Sequence, residues 1–208
     1  MSGKTFFSRE SSCLFPIIPE DGRIPATAFL AAAEMILPFF DKLGTGFSVI
    51  KNDLGRNIQS LKKKHAMNPE LFATIDAMLE DEVDKPKVDL AKTAALWLKR
   101  GLDLVCTYLE LFYKNRDDGL ESTQPYLSEA YNRILQQYHG FILRKLFSGL
   151  SRMVEYKKVI LKNMKEDTTA PDEIVYADIE IYNKLLRENV IVLDEMLKKL
   201  NLDSDKKV

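Results

Sequence analysis

Apolar residues recur every three or four positions along most of the chain, and nowhere do they alternate with period two for long enough to build a sheet. At about 100° per residue, Phe47, Ile50, Leu54, Ile58 and Leu61 share one face of a helix over residues 47–65. Ahead of it, Phe29, Leu30, Ala33, Ile36, Leu37, Phe40 and Leu43 mark a helix from about Thr27, kinked at Pro38 and stopped by Gly44. Asn68-Pro69-Glu70 reads as a cap with proline at the first helical position, and predicts a helix through Leu71, Phe72, Ile75, Met78, Leu79 and Val83. Asp89 is placed to cap a long helix through Trp97, Leu102 and Phe112. Another stripe runs from Tyr126 through Tyr138, past a bend at Gly140, to Phe147 and Leu150. A shorter segment covers Met153–Met164, and Thr169-Ala-Pro-Asp172 starts a final long helix ending near Leu200. The pattern predicts an all-α, single-domain chain of seven or eight helices spanning residues 26–200. Residues 1–25 carry Pro16, Pro19, Gly22 and Pro25 without periodicity, and predict a poorly ordered leader of which only Leu14–Ile18 touches the body. Residues 201–208 predict a charged, frayed tail.

Composition narrows the classes. At 208 residues and 46% hydrophobic content the chain can bury a sizeable single core. A net charge of −1 argues against a protein built around nucleic acid. No 18-residue apolar run spans a membrane and the N-terminus lacks the pattern of a secretory signal, so a cytoplasmic location is expected. Cys13 and Cys106 are too few for a disulfide framework, and read as a tail residue and a small core hydrophobe.

A search for catalysis returns little. Two histidines, His65 and His139, and two scattered cysteines make no zinc site at standard spacing, so no metal and no cofactor is expected. Nucleophile-elbow and phosphate-loop motifs are absent, and Leu43-Gly-Thr-Gly46 follows a helix rather than a strand. Cys106 paired with His139 would need a thiolate inside an apolar stripe, where it is disfavoured. The sequence therefore does not read as an enzyme. What packing does not require is the pair Asp53 and Asn57, one turn apart on the border of the Phe47–Leu61 stripe, with Ser60 and Lys64 continuing the row. Such a pair is either an ordinary solvated flank or a receiver for a small hydroxylated ligand. A second feature is the basic set Arg144, Lys145, Arg152, Lys157 and Lys158, interleaved with Phe141 and Tyr156, which is either a solvated face or a membrane interface.

Four separated segments, one of which contains a further motif, agree in type, order and spacing with one family. They are Leu37-Pro-Phe-Phe-Asp-Lys-Leu-Gly44, Ile50-Lys-Asn-Asp-Leu-Gly-Arg-Asn-Ile58, Asp53-x-x-x-Asn57 within it, Leu96-Trp-Leu-Lys-Arg-Gly-Leu102, and Tyr138-His-Gly140. Over residues 28–200 the chain resembles the glycolipid transfer protein family. The resemblance implies a two-layer helical sandwich of about eight helices enclosing an apolar lipid-chain cavity, and a carrier that moves one glycosphingolipid between membranes without chemical change. It implies that Asp53 and Asn57 bind sugar hydroxyls and the ceramide amide, that Trp97 stacks on the sugar ring, and that His139 bonds the amide carbonyl. The family's usual basic residue three after the asparagine is here Ser60, so Arg56, Ser60 and Lys64 are the additional head-group donors to consider. A C-terminal tyrosine of the family corresponds to Lys206, and its membrane-facing tryptophan to Phe141. Phe39, Phe40, Phe112, Phe147 and Leu150 are candidates to line the chain cavity; Phe141, Lys145, Tyr156 and Lys157 are candidates to meet a transient membrane surface. Two alternatives stay open. Ceramide-1-phosphate carriers of this fold place arginines where Trp97 and Gly101 stand, which argues for sugar over phosphate, and a lipid sensor would keep the pocket without net transfer.

Overall fold

In a computed structural model that describes residues 3–9 and 14–208, the helices form in the expected order. They are α1 (Ala26–Met35), α2 (Phe39–Leu43), α3 (Ser48–Met67), α4 (Ile75–Val83), α5 (Lys92–Lys114), α6 (Gln124–Ile134), α7 (Phe141–Ser151), α8 (Lys157–Met164) and α9 (Glu173–Lys199). The all-α class stands, and the division is finer than the periodicity suggests. Pro38 has no N–H to give, so the predicted first helix breaks into α1 and α2. The stripe from Tyr126 to Leu150 is cut at Ile134 by a 3₁₀ turn, and α7 begins afresh after Gly140.

α5 is the hub. It packs on α3, α6 and α9, and α1 covers the far side of α3. Leu98, Leu102, Val105, Leu109 and Phe112 along it are buried, as are Leu54, Ile58 and Leu61 of α3 and Ile179, Leu186 and Leu193 of α9. At the crossing of α3 with α5 the glycine allows close approach: a Cβ at Gly101 would stand 2.6 Å from Leu54 Cδ2 and 3.2 Å from its Cγ, so any larger residue would require the buried Leu54 side chain to shift.

Several sequence expectations are corrected. α4 starts at Ile75, capped by Thr74, whose side chain accepts from Ala77 N at 3.2 Å. Residues 73 and 74 are held out of the helix because the backbone on either side of Thr74 is bonded elsewhere: Ala73 O accepts from Ala26 N and Ile75 N donates to Ile24 O, both at 2.9 Å. Asp89 does accept from Thr93 N at 2.9 Å, but the amides that open α5 are met by Glu82 of α4. Its buried Oε2 accepts from Leu90, Ala91 and Lys92 N at 3.1, 2.9 and 3.3 Å, while Lys64 stands 3.2 Å from Oε1.

Where it is described, the expected leader is packed rather than loose. Phe6, Phe7, Phe15 and Ile24 are buried; Phe7 lies against Tyr182 with ring centroids 4.7 Å apart, and Phe15 against Phe29 at 5.6 Å. Thr5 Oγ1 donates to Asp178 Oδ2 at 2.6 Å and Ser8 Oγ to the same oxygen at 2.5 Å, which clasps the segment to α9. Three phenylalanines carry enough apolar area to order an aperiodic stretch. The tail is likewise engaged. Asn201, at φ 55, stops α9 in the left-handed conformation, and the chain turns back so that Leu202 N donates to Leu197 O at 2.8 Å. Cys13 lies outside the described residues; Cys106 is fully buried, and burial pushes its thiol up to about 12, which leaves it an inert hydrophobe.

Candidate functional site

The contact of Leu54 with Gly101 sets α3 beside α5, and a third element, the Tyr138–Gly140 connection ahead of α7, closes on them. Trp97 and His139 stack, with ring centroids 6.2 Å apart and planes 23° from parallel. His139 Nδ1 lies 3.1 Å from Tyr131 Oη, and Tyr131 in turn stacks face to face on Phe147, centroids 3.8 Å apart. Burial lowers the His139 pKa; Asp53 opposes that, and the charges of Arg100 and Arg144 add to it. Asp53 is therefore within electrostatic reach of the imidazole, and the ring is neutral at pH 7. Tyr131, whose own pKa is raised by burial, keeps its proton and can donate it to Nδ1, which leaves the hydrogen on Nε2 free for a ligand acceptor.

On α3 the Asp53 carboxylate is 58% exposed and takes Arg56 Nη2 at 2.9 Å. Asn57 Nδ2 is turned back to Asp53 O at 3.1 Å, so its amide oxygen remains for other donors. The stacked indole and imidazole thus have the Asp53 carboxylate within electrostatic reach, and the Asn57 amide follows one turn along α3. Together they offer acceptors and donors for vicinal hydroxyls and a flat apolar face.

The outer members of the expected set fare differently. Ser60 stays one turn from Asn57, half-buried. Lys64 is not at the site: it lies 11 residues beyond Asp53, about 16 Å along the helix at about 1.5 Å per residue. It is buried between Asp81 at 2.5 Å and Glu82 at 3.2 Å, over the Phe72 ring. Burying an ammonium requires such partners, so it is committed to the α4–α5 junction. Lys157 is likewise buried, held by Asp118 Oδ1 at 2.8 Å and Asn115 O at 3.0 Å, and it cannot face a membrane. Lys157, with Tyr126, holds the Asp118 carboxyl down to about 2.

Phe141 and Lys145 do stand outside, the ammonium 4.5 Å from the ring centroid, and Tyr156 is exposed. Ile142, Leu146 and Met153 join them as exposed apolar residues that the sequence reading passed over. Their signal was present, since an amphipathic α7 whose stripe is spent on Phe147 and Leu150 leaves a second apolar edge. In the interior, Phe39 and Phe40, with Leu43, Phe47 and Tyr108, border an apolar space of about 10 Å³, enough for one water at most. Phe112 packs elsewhere, on Tyr108 and Tyr176, and Phe147 on Tyr131. The other missed residue is Arg100, one turn after Trp97, which is buried against the rings of both Trp97 and Tyr138. A charge in the middle of an apolar helical stripe was the available clue.

No helix among the described residues is long and apolar enough to cross a membrane. The zebrafish (Danio rerio) pleckstrin homology domain-containing family A member 8 is 32% identical over 97% of this chain; the chain spans 38% of that relative's length. Zebrafish glycolipid transfer protein is 32% identical over 93% of this chain and 96% of its own length. The solved GLTP-fold of FAPP2, described as selecting simple glycosphingolipids, superposes with a TM-score of 0.87 at 30% identity, covering 98% of this chain and all of that one. The family model for glycolipid transfer protein matches residues 24–166, a span that includes Asp53, Asn57, Trp97 and His139, and the chain belongs to the glycolipid transfer protein family.

Proposed function

We propose that the protein is a non-enzymatic carrier that takes one glycosphingolipid from a membrane, shields it, and releases it to another. The observation that supports this reading is the stack of Trp97 on His139, with Asp53 within electrostatic reach of that imidazole, in a chain of this family. No bond is made or broken. Moving an acyl chain of about 16 methylenes into water costs roughly 13 kcal/mol at ~0.8 kcal/mol per methylene, and a carrier has only to replace that burial. The space beside Phe39 and Phe40 holds about 10 Å³, so entry of a chain requires α2, α3 and α5 to part. At the rim, Trp97 would face the sugar, Asp53 and Asn57 would bond its hydroxyls and the ceramide amide N–H, and His139 Nε2–H would donate to the amide carbonyl. Arg56, already on Asp53, is the basic residue nearest to the role left by Ser60. A transient docking on membrane through Phe141 and Lys145, from the cytoplasmic side, completes the cycle.

The phosphate alternative is weakened by the packing. An arginine in place of Gly101 would put its Cβ 2.6 Å from Leu54 Cδ2, so this crossing, as packed around Leu54, is not arranged for a second phosphate-binding side chain. The test is vesicle-to-vesicle transfer of a fluorescent galactosylceramide, together with mass spectrometry of lipid co-purified with the protein. Catalytic movement of neutral glycosphingolipid supports the carrier. Binding without movement indicates a sensor, and co-purified ceramide-1-phosphate overturns the head-group assignment.

A further inference from the structure

The residue that props up the sugar platform is anchored by the tail. Arg100 is 1% exposed, its Cζ 4.9 Å from the centroid of Trp97 and 3.4 Å from that of Tyr138. Its Nε and Nη1 are buried without a hydrogen-bond partner among the described residues. All of its hydrogen bonds run through Nη2, to Asp203 Oδ1 at 3.1 Å and Ser204 O at 2.5 Å. A guanidinium taken out of water holds its place only while it is paired, and its one carboxylate partner among the described residues is on the tail. The tail then continues to the other half of the platform. Val208 N donates to Tyr138 O at 3.0 Å and Gly140 N donates to Val208 O at 2.8 Å, so residue 208 brackets His139 on both sides.

We infer that residues 201–208 are a strap that sets head-group recognition, with Arg100 as a positioning residue and Asp203 as its counter-charge. Through Arg100 the strap fixes the face that Trp97 presents, and through Val208 it fixes the backbone on either side of His139. The two members of the stacked pair sit on different elements, α5 and the connection before α7. The tail is bonded to both, so its attachment sets their spacing. This inference rests on the glycolipid reading for its consequence, though not for its geometry.

Trp97 is the chain's one tryptophan, so emission excited on the red edge, where tyrosine does not absorb, reports on this site alone. The experiment compares wild type with Asp203→Asn, Asp203→Glu, Asp205→Asn and a chain ending at residue 202, each measured for lipid-free Trp97 emission, thermal midpoint and galactosylceramide transfer. Asp203→Asn should red-shift the emission and slow transfer about tenfold with the far-ultraviolet helical signal retained, since Asp203 lies at the surface of the pair. Asp203→Glu should restore both, Asp205→Asn should change neither, and the shortened chain should exceed Asp203→Asn. Wild-type emission and transfer in Asp203→Asn would overturn the strap. Slow transfer with unmoved emission would overturn the role given to Arg100. A shifted emission in a protein that moves no glycolipid in any form would leave the strap standing and remove the carrier reading instead.

Discussion

Truncation of Phe141 to alanine should weaken membrane association by roughly an order of magnitude and slow transfer accordingly. The ring is 72% exposed and next to it Ile142 is 80% exposed, at the start of α7, immediately after the connection that bears His139. Fully burying a phenylalanine side chain yields about 1.5–3 kcal/mol; scaled by the exposed share, about 1–2 kcal/mol is at stake. At about 1.4 kcal/mol per decade that corresponds to about 5- to 30-fold in partitioning. Lys145 over the ring adds about 1 kcal/mol near an anionic surface, fading with salt over about 8–10 Å. Phe141→Trp should strengthen association, because indole favours the interface. The double variant Phe141→Ala/Ile142→Ala should lose about 2–4 kcal/mol, since both side chains leave water together. The assay is co-sedimentation with phosphatidylcholine vesicles, with and without anionic lipid, across salt concentrations, alongside transfer rate. Unchanged partitioning of the double variant would show that the protein docks through another face.

Trp97→Ala should abolish transfer of neutral glycosphingolipid while circular dichroism keeps its helical signal; a loss of thermal stability that accounts for the whole effect would mark the indole as core. Asp53→Val should remove binding in a fluorescent-glycolipid titration with little change in melting, because the carboxylate is largely solvated and its bond to Arg56 is a surface pair. Glu82→Gln should lower stability by about 2–4 kcal/mol in urea, as a neutral amide replaces the carboxylate that serves three α5 amides and faces buried Lys64. For His139, the folded pKa lies below the unfolded value of about 6.5, so its contribution to stability is whole above pH 6.5 and declines as pH falls toward the folded pKa. His139→Gln should flatten that part of the urea-midpoint profile, and an unaltered slope would refute the assignment.

What could be read from the chain beforehand follows from where each signal is stored. α3, α5 and α9 are visible because long amphipathic stripes repeat their message over five or more turns, and the family is visible because residue types at fixed spacing, among them Asp53, Asn57, Trp97 and His139, carry its pattern. Glu82 capping α5 is invisible, since a cap supplied by another helix leaves no mark near the helix it serves. Lys157 reads the same in sequence whether it meets a phosphate or Asp118, 39 residues away. The tail attaches partly through backbone groups at Val208, which every residue possesses, so no side-chain pattern announces it.

The clasp between Thr5 and Asp178 closes a loop of 173 residues. A ribosome adding about 5–20 residues per second needs about 9–35 s to bring the second partner into being after the first. Through that interval Phe7 and Phe15 have no α9 to lie on, because Tyr182, which receives both rings, is made later still. The opening segment is therefore among the last to settle. It spends synthesis as an adhesive aromatic segment, and the nascent chain depends on shelter or speed until α9 arrives.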